Sequence, residues 1–232
     1  MKILGIGNAI VDVICKVDES FITENELTKS TMKLIFEENE FKKLLSSLKI
    51  EKTVSGGSVA NSIVGLSQLG DKVGFIGKVN DDDLGIKYEE GLKKENVEYF
   101  YSKKKEELPT GTCLILITPD SERTMCTFLG TAGKINENDV NVNAVKNSEI
   151  TFLEGYLWDE GDPKSAFDKA IQNSNKVAMS LSDLFCVERH KSHFLDLVKN
   201  KLDIIFANEQ EIISLIDAKN FDEVISFSKN LG

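Results

Sequence analysis

The clearest indication of ligand chemistry is the segment GGSVANS at residues 56–62. Two glycines without Cβ atoms let the backbone approach a ligand closely, so Gly56 and Gly57 are candidate binding residues. Ser58 stands where a helix N-cap is expected, and apolar residues then recur at helical spacing, namely Val59, Ile63, Leu66 and Leu69. A helix N-terminus carries unpaired N–H groups and a positive dipole end. The segment therefore predicts a site for a hydroxyl-rich or anionic ligand, within reach of the Asn61 amide, although in isolation an ordinary glycine turn is the commoner explanation.

Four further candidate residues carry a charge or an amide. Asp12 interrupts an apolar stretch, and a carboxylate in such surroundings needs a partner or a ligand unless it faces water at a strand edge. Arg123 follows the turn of a predicted hairpin. Asn208 and Glu211 follow a short strand and are one helical turn apart, so they could bind a hydrated metal or a phosphate. Local sequence favours a helix capping box for this pair.

Composition excludes several classes of protein. The chain has 232 residues, a net charge of −10 and a pI of about 4.9, which argues against nucleic-acid binding. No apolar run approaches the roughly 20 residues of a membrane helix, and the chain starts without a signal-peptide pattern. The cysteines lack metal-ligand spacing and are expected to be reduced, mostly buried thiols of a cytoplasmic protein. Gly5 and Gly7 do not open a dinucleotide fingerprint, because Ile10 stands where the third glycine is required.

The elements that must position these candidates alternate between strands and helices. Strands are predicted at 3–17 (with a glycine turn), 73–76, 151–154, 177–181 and 203–207, and helices at 37–48, 58–70, 81–95, 164–172, 187–199 and 209–216. A hairpin-like insert, with strands at 112–118 and 123–128, interrupts this order. Alternation of this kind predicts an α/β fold with a parallel sheet covered on both faces, whose ligands gather at the carboxyl ends of the strands.

With these motifs in order, the chain resembles the ribokinase-like, or PfkB-type, carbohydrate kinases, and most closely their adenosine kinase branch. The matching segments are spread over essentially the whole chain: Gly7-Asn8 leading to Asp12, the GGSVANS loop, Gly77-Lys78-Val79 leading to Asp83 and Gly85, Thr110-Gly111-Thr112-Cys113, Arg123, and Phe206-Ala207-Asn208-Glu209-Gln210-Glu211. The resemblance implies a three-layer α/β/α sandwich with a small β-sheet lid. The implied core is 1–17, 37–96 and 129–232, and the implied lid is 18–36 and 97–128.

The same resemblance implies roles for individual residues. Asp12 would accept hydrogen bonds from sugar hydroxyls, with Asn8, Gly56, Gly57 and Asn61 holding the same sugar. Arg123 would face the transferring phosphate. Asn208 and Glu211 would organise ATP and Mg²⁺, the latter through water. The implied reaction is transfer of the γ-phosphate of ATP to a hydroxymethyl group of a sugar or nucleoside, with adenosine favoured and ribose, fructose and other furanoses open.

One expected motif is missing from the chain. Members of this family carry a later Gly-Ala-Gly-Asp motif that supplies the anion hole and the catalytic base, and residues 1–232 do not contain it. Gly161-Asp162 has the wrong spacing to replace it. The expectation is a C-terminally incomplete kinase that does not turn over unaided, against two alternatives: a non-catalytic sugar- or nucleoside-binding protein of the same fold, and a purely structural subunit.

The expected partner is a small-molecule sugar or nucleoside. A nucleoside base needs an apolar or aromatic slot, and the aromatic candidates for it are Phe21, Phe36, Phe128 and Trp158. Exposed edges of the lid strands are suited to pairing with a second copy of the chain, so a homodimer through the lid is a further expectation.

Overall fold

A six-stranded parallel sheet forms the larger body of the protein. The computed structural model describes residues 1–159 and 163–231. The strands of this sheet, in chain order, are β1 (Ile3–Ile6), β5 (Val73–Ile76), β6 (Glu98–Tyr99), β9 (Ile150–Glu154), β10 (Val177–Ser180) and β11 (Ile204–Phe206). They are arranged β11-β10-β9-β1-β5-β6, and every neighbouring pair is parallel. The predicted parallel α/β sheet is therefore confirmed.

A second, five-stranded sheet is mixed. Its strands are β2 (Ile10–Lys16), β3 (Met32–Leu34), β4 (Ile50–Gly56), β7 (Gly111–Ile117) and β8 (Arg123–Phe128), in the order β3-β8-β7-β2-β4. The antiparallel pair β7 and β8 is the predicted hairpin. The sheet includes strands of the predicted lid segments, and it also includes β2 and β4, which come from segments that the sequence assigns to the core.

Helices connect the strands and cover both faces of the parallel sheet. They are α1 (Glu19–Glu24), α2 (Glu38–Ser46), α3 (Ser58–Gln68), α4 (Asp83–Lys94), α5 (Val142–Lys146), α6 (Pro163–Asn173), α7 (Leu184–Asn200), α8 (Glu209–Ile216) and α9 (Phe221–Ser228), with short 3₁₀ helices at Gly130–Lys134, Glu137–Asp139 and Gly155–Asp159. Asp82 caps α4 by accepting a hydrogen bond from the Gly85 N–H, as expected for a carboxylate at a helix start.

Successive residues of the central strands alternate between two hydrophobic cores. Phe75 and Phe152 pack with residues of α3 and α4, whereas Ile76 and Leu153 pack with residues of α5, α6 and α7. This two-residue period follows from the pleat of a β-strand. The parallel sheet is thereby buried on both faces, which leaves the ends of its strands as the places where polar side chains can collect.

Two details of the glycine-loop helix differ from the prediction. The N-cap of α3 is Gly57, at φ 102° and ψ 138°, and Ser58 is already the first helical residue. Leu69 does not belong to the buried face of the helix, because it is 84% exposed. The helix stops at this point, where Gly70 takes a positive φ of 97°.

The structure also tests the expectations drawn from composition. All four cysteines are buried, as predicted. Within the described residues, none of the helices has the length and apolar character needed to cross a membrane. The Gly161-Asp162 pair lies outside the described residues.

Candidate functional site

A cavity of about 300 Å³ lies at the carboxyl ends of the central core strands and opens against one face of the five-stranded sheet. This is the volume of a small-molecule site. The lining residues are Asn8, Ile10, Asp12, Met32, Leu34, Gly57, Ser58, Asn61, Cys113, Met125, Thr127, Leu129, Glu154, Tyr156 and Asp183. Larger cavities occur elsewhere on the protein, but this one brings together residues that the sequence predicts for a ligand.

Four of the five predicted sugar-binding residues meet in this cavity from three elements, and the fifth, Gly56, is not among its lining residues. Asn8 follows β1, Asp12 lies on β2, and Gly57 and Asn61 lie at the start of α3. All four line the cavity. Strand β2 leaves the core immediately after β1 and pairs with β4, which leads into α3, so the crossing between the two sheets holds Asp12 beside the glycine loop.

The glycine loop is fitted to the Asp12 carboxylate. A Cβ atom built on Gly56 would lie 2.5 Å from Asp12 Oδ2 and 2.7 Å from its Cγ. A Cβ atom on Gly57 would collide with the Asn8 carbonyl oxygen, and the positive φ of this residue already disfavours a side chain. The two glycines are therefore required for different reasons: Gly56 makes room for a carboxylate, and Gly57 turns the chain into the helix.

Burial changes the electrostatics of Asp12. It raises the pKa of this carboxyl group to about 6, and burial is the cause that accounts for the shift. Among the described residues no cation accounts for the Asp12 shift, so this carboxylate keeps its acceptor capacity for donors that arrive with a ligand. Sugar hydroxyl groups are such donors.

Glu154 is a functional candidate that the sequence analysis missed. It ends β9, is only 2% exposed and lines the same cavity. Its Oε2 accepts the Val59 N–H at 3.2 Å, and its Oε1 accepts Asn8 Nδ2 at 3.1 Å. Burial raises the pKa of Glu154 to about 7, although both of these hydrogen bonds act in the opposite direction. A carboxylate at the end of an apolar strand, directly before Gly155, was the available signal in the sequence.

Glu154 also changes what the start of α3 can bind. Its carboxylate already occupies one of the N-terminal N–H groups, so the positive end of the helix is partly neutralised within the protein. Asn8, which is 3% exposed, is held by Glu154 through its amide nitrogen, and its Oδ1 has no hydrogen-bond partner among the described residues. This acceptor and the Asp12 carboxylate together favour a ligand with hydroxyl donors.

The charge of the cavity also favours a hydroxyl-rich ligand over an anionic one. Its lining includes the carboxylates of Asp12, Glu154 and Asp183 and, among the described residues, no lysine, arginine or histidine. An anionic ligand would meet uncompensated negative charge in a partly desolvated site. Of the two ligand classes that the glycine loop suggested, hydroxyl-rich and anionic, the geometry favours the hydroxyl-rich one.

The far wall of the cavity is apolar. It is formed by Ile10, Leu34 and Leu129, with the methionines 32 and 125 beside them, and the Tyr156 ring faces the same space. None of the predicted aromatic candidates lines it: Phe21 lines a different cleft, Phe36 is exposed, Phe128 stacks on Phe41, and Trp158 packs on Phe167 and Phe194. The apolar slot is thus built from aliphatic and methionine side chains that sequence spacing alone did not single out.

Arg123 is not part of this cavity in the structure. It is exposed at the first position of β8, paired with Ile117 across the hairpin. Met125, two residues further along the same strand and on the same face, does line the cavity, so Arg123 lies about 7 Å beyond it along the strand. Its role at a phosphate stays a prediction.

Asn208 and Glu211 form the capping box of α8. Asn208 Oδ1 accepts the Glu211 N–H at 2.9 Å, while Glu211 accepts the Asn208 N–H at 3.1 Å and its Nδ2 group at 2.6 Å. The pair follows β11, three strands from β1 and so about 14 Å away along the edge of the sheet. The capping interpretation favoured by local sequence is confirmed.

The fit of this pair to Mg²⁺ can be judged from its hydrogen bonds. Both Glu211 oxygens already accept a hydrogen bond, and the residue is 5% exposed, so direct coordination would break the cap. A carboxylate has further lone pairs that can accept from metal-bound water, and Mg²⁺ commonly keeps several waters. No cluster of three or more His, Cys, Asp or Glu side chains suited to a metal occurs in the described part of the chain. The residues therefore fit a hydrated Mg²⁺ held through water.

The sequence and the fold have counterparts in known proteins. Residues 23–230 match the family described as pfkB family carbohydrate kinase. The chain is similar to adenosine kinase 2 of Arabidopsis thaliana, with 26% identity over 90% of this chain and 63% of that protein. It is also similar to 5-dehydro-2-deoxygluconokinase of Clostridium perfringens, with 31% identity over 61% of this chain and 43% of that protein. The chain thus spans less than two thirds of the length of either relative.

Solved structures agree with these relationships. The adenosine kinase of Sinorhizobium meliloti superimposes with a TM-score of 0.87 and 36% identity, over 98% of this chain and 71% of that one. This agreement confirms the ribokinase-like α/β fold that the sequence motifs predicted.

Proposed function

Because the chain belongs to the pfkB family of carbohydrate kinases, we propose that it binds a nucleoside, adenosine above all, for transfer of the γ-phosphate of ATP to the hydroxymethyl group of the sugar. The observation that carries this proposal is the two-sided character of the cavity. One side presents Asp12, Asn8 and Asn61 to a sugar, and the other presents an apolar wall to a base. A free pentose would leave that wall in contact with water.

The charge of the site favours a nucleoside over a sugar acid. The Clostridium relative is named for a gluconate, which is an anion. In the present chain such a ligand would face three carboxylates and no cationic side chain among the described lining residues. The adenosine kinases among the similar proteins are named for a neutral nucleoside, which is compatible with this lining.

In this proposal Asp12 and Glu154 orient the sugar. Asp12, ionised above its pKa of about 6, accepts hydrogen bonds from sugar hydroxyls, and the free Asn8 Oδ1 accepts another. Glu154 fixes Asn8 and the start of α3 through the hydrogen bonds described above. Phosphoryl transfer depends mainly on such positioning and on electrostatic stabilisation.

The phosphate-side residues belong to the proposal through the family resemblance. We propose that the five-stranded sheet acts as the lid and that its closure brings Arg123 from the hairpin end toward the phosphate and excludes water. Asn208 and Glu211 would hold the waters of Mg²⁺, which when bound neutralises charge on the nucleotide phosphates. No residue between 1 and 232 is assigned as the base, since the Gly-Ala-Gly-Asp motif is missing from this sequence.

That missing motif favours a second candidate function, a nucleoside-binding protein without turnover. Two assays on the full-length gene product separate the candidates: ATP consumption with adenosine, ribose and fructose as acceptors, and calorimetric binding of the same compounds. ATP consumption with one of these acceptors supports the kinase. Binding of adenosine without ATP consumption supports a nucleoside-binding protein without turnover. If no compound binds and no ATP is consumed, the proposed site is contradicted.

An Asp12→Asn variant links either result to the cavity. We expect it to lose affinity for adenosine, because an amide supplies one acceptor oxygen in place of two. Asp71→Asn is the matched control, since Asp71 is a carboxylate that pairs with Lys2 at the surface. Equal affinities in the two variants would remove Asp12 from the site.

A further inference from the structure

Asp183 is a third carboxylate of the cavity and has no role in the chemistry described so far. It is the N-cap of α7 and follows β10, and its Oδ1 accepts the Cys186 N–H at 2.7 Å. Its side chain is half-buried and lines the same cavity as Tyr156. A helix cap needs a side-chain oxygen, and serine, threonine or asparagine supplies one equally well. Asp183 also accepts a hydrogen bond from the Tyr156 side chain, so this carboxylate serves two partners within the protein and still lines the cavity.

The position of Asp183 in the sheet places it at the opposite end of the cavity from the sugar-binding residues. Asn8 follows β1, Glu154 ends β9 and Asp183 follows β10, and these three strands are neighbours in that order. Two strand spacings separate the ends of β1 and β10 by about 10 Å. This separation is comparable with the length of a nucleoside, whose base would point away from Asp12.

The chemistry at this end is that of a hydrogen-bond acceptor. One Asp183 oxygen caps the helix, and the carboxylate retains further acceptor sites. The Tyr156 hydroxyl donates a hydrogen bond to this carboxylate. Burial first, then the Asp183 charge and this hydrogen bond, raise the pKa of the hydroxyl, so tyrosine stays a neutral donor. A carboxylate in such a position attracts N–H groups and repels ring nitrogens and carbonyl oxygens.

We propose that Asp183 accepts a hydrogen bond from the exocyclic amino group of the base and so selects amino-bearing purine nucleosides. This inference rests on the proposed function, because it requires a nucleoside in the cavity. It assigns the choice of base to a residue outside the glycine loop and outside the apolar wall. The apolar wall then supplies affinity for any purine, and Asp183 supplies the discrimination between them.

The test compares adenosine with purine riboside, which differs only by lacking the amino group, using calorimetry on the whole chain. A hydrogen bond to a charged acceptor predicts that the wild type binds adenosine about tenfold or more tightly than purine riboside. Asp183→Ser keeps a capping oxygen but shortens the side chain and removes the charge. In this variant we expect the two affinities to agree within about threefold, with affinity for purine riboside unchanged.

Each outcome decides the inference. If Asp183 is purely structural, Asp183→Ser will lower the affinities for adenosine and purine riboside equally. Their ratio will then be unchanged, which would overturn the assignment. A wild type that binds both nucleosides equally would also overturn it. If neither nucleoside binds while ribose does, the proposed nucleoside function itself fails, and this result is distinguishable from the other two. Tyr156→Phe provides an independent variant, expected to keep the preference for adenosine because the carboxylate remains.

Discussion

Replacement of Gly56 by alanine is the most direct test of how the glycine loop serves the site. The added Cβ would meet three atoms of a single side chain, the Asp12 carboxyl carbon and its two oxygens, at 2.5 to 2.8 Å. The φ of Gly56 lies outside the left-handed region, so its backbone conformation is accessible to alanine. The perturbation therefore acts on the position of the Asp12 carboxylate and leaves the path of the chain intact.

The magnitude follows from what the carboxylate contributes to binding. A hydrogen bond to an ionised group contributes about 1.5 to 3 kcal/mol, and 1.4 kcal/mol corresponds to a tenfold change in affinity. Displacing Asp12 by a methyl group should therefore weaken adenosine binding about tenfold to a hundredfold. The free energy of unfolding should change little, because Asp12 carries a raised pKa and gains no ion pair that could be lost.

Calorimetric titration with adenosine, together with thermal unfolding, measures both effects. Gly65→Ala is the matched control, since it lies within α3 and its Cβ would have no neighbour within 4 Å. We expect this control to bind normally and to be more stable by about 0.5 to 1 kcal/mol, because alanine is the better helix former. Unchanged affinity in a folded Gly56→Ala protein would refute the reasoning about the glycine loop.

Three other predictions concern charge and pH. Affinity for adenosine should rise about tenfold per pH unit as the pH approaches 6 and level off above it, because Asp12 must be ionised to accept hydrogen bonds; titrations between pH 4.5 and 8 measure this. The wild type should lose stability as the pH rises from about 4.5 to about 7, because folded Glu154, and below about pH 6 folded Asp12, hold protons that the unfolded chain has released. In urea unfolding, Glu154→Gln should reduce this dependence and leave the part below about pH 6 that Asp12 contributes. Lys78→Met should reduce the free energy of unfolding by up to about 3 kcal/mol, because it removes a buried cation that lies 3.3 Å from the buried carboxylate of Asp139, while Lys104 at 3.7 Å still compensates part of that charge. Lys42→Met, at an exposed helical ion pair, should change it by at most about 0.5 kcal/mol.

Each of these predictions has an outcome that contradicts it. A flat affinity between pH 4.5 and 7 would show that Asp12 is not the acceptor. Identical pH dependence of stability in the wild type and in Glu154→Gln would show that Glu154 titrates alike in the folded and unfolded chain. A Lys78→Met protein as stable as the Lys42→Met control would show that the buried ion pair carries no net stabilisation.

The accuracy of the sequence predictions varied with the range of the interaction involved. Strand β5 and helix α8 have the predicted bounds, and the capping oxygen of Asn208 was expected from sequence spacing. Each of these features depends on residues within about one helical turn or on a two-residue period. The one-residue error at the start of α3 has a tertiary cause, because Glu154, from a distant strand, binds the N–H that a local cap would otherwise serve.

The sequence therefore identified only some of the residues on the ligand-binding side of the site. The glycine loop and Asp12 could be identified because their residue types are unusual in their local surroundings. Glu154, Tyr156 and Asp183 could not, since they join the cavity only when β9 and β10 pair beside β1, some 140 residues or more from Asp12 in the chain.

By itself, the sequence determined the main alternation of strands and helices, the cap of α8 and the need for small residues at 56 and 57, because each is encoded by short-range spacing and backbone freedom. Only the tertiary structure decided the composition of the cavity and the pairing of β2 and β4 in the second sheet. Such choices depend on which distant surfaces are buried together. Burial is also what raises the pKa of Asp12 and Glu154 and leaves acceptors available for a ligand.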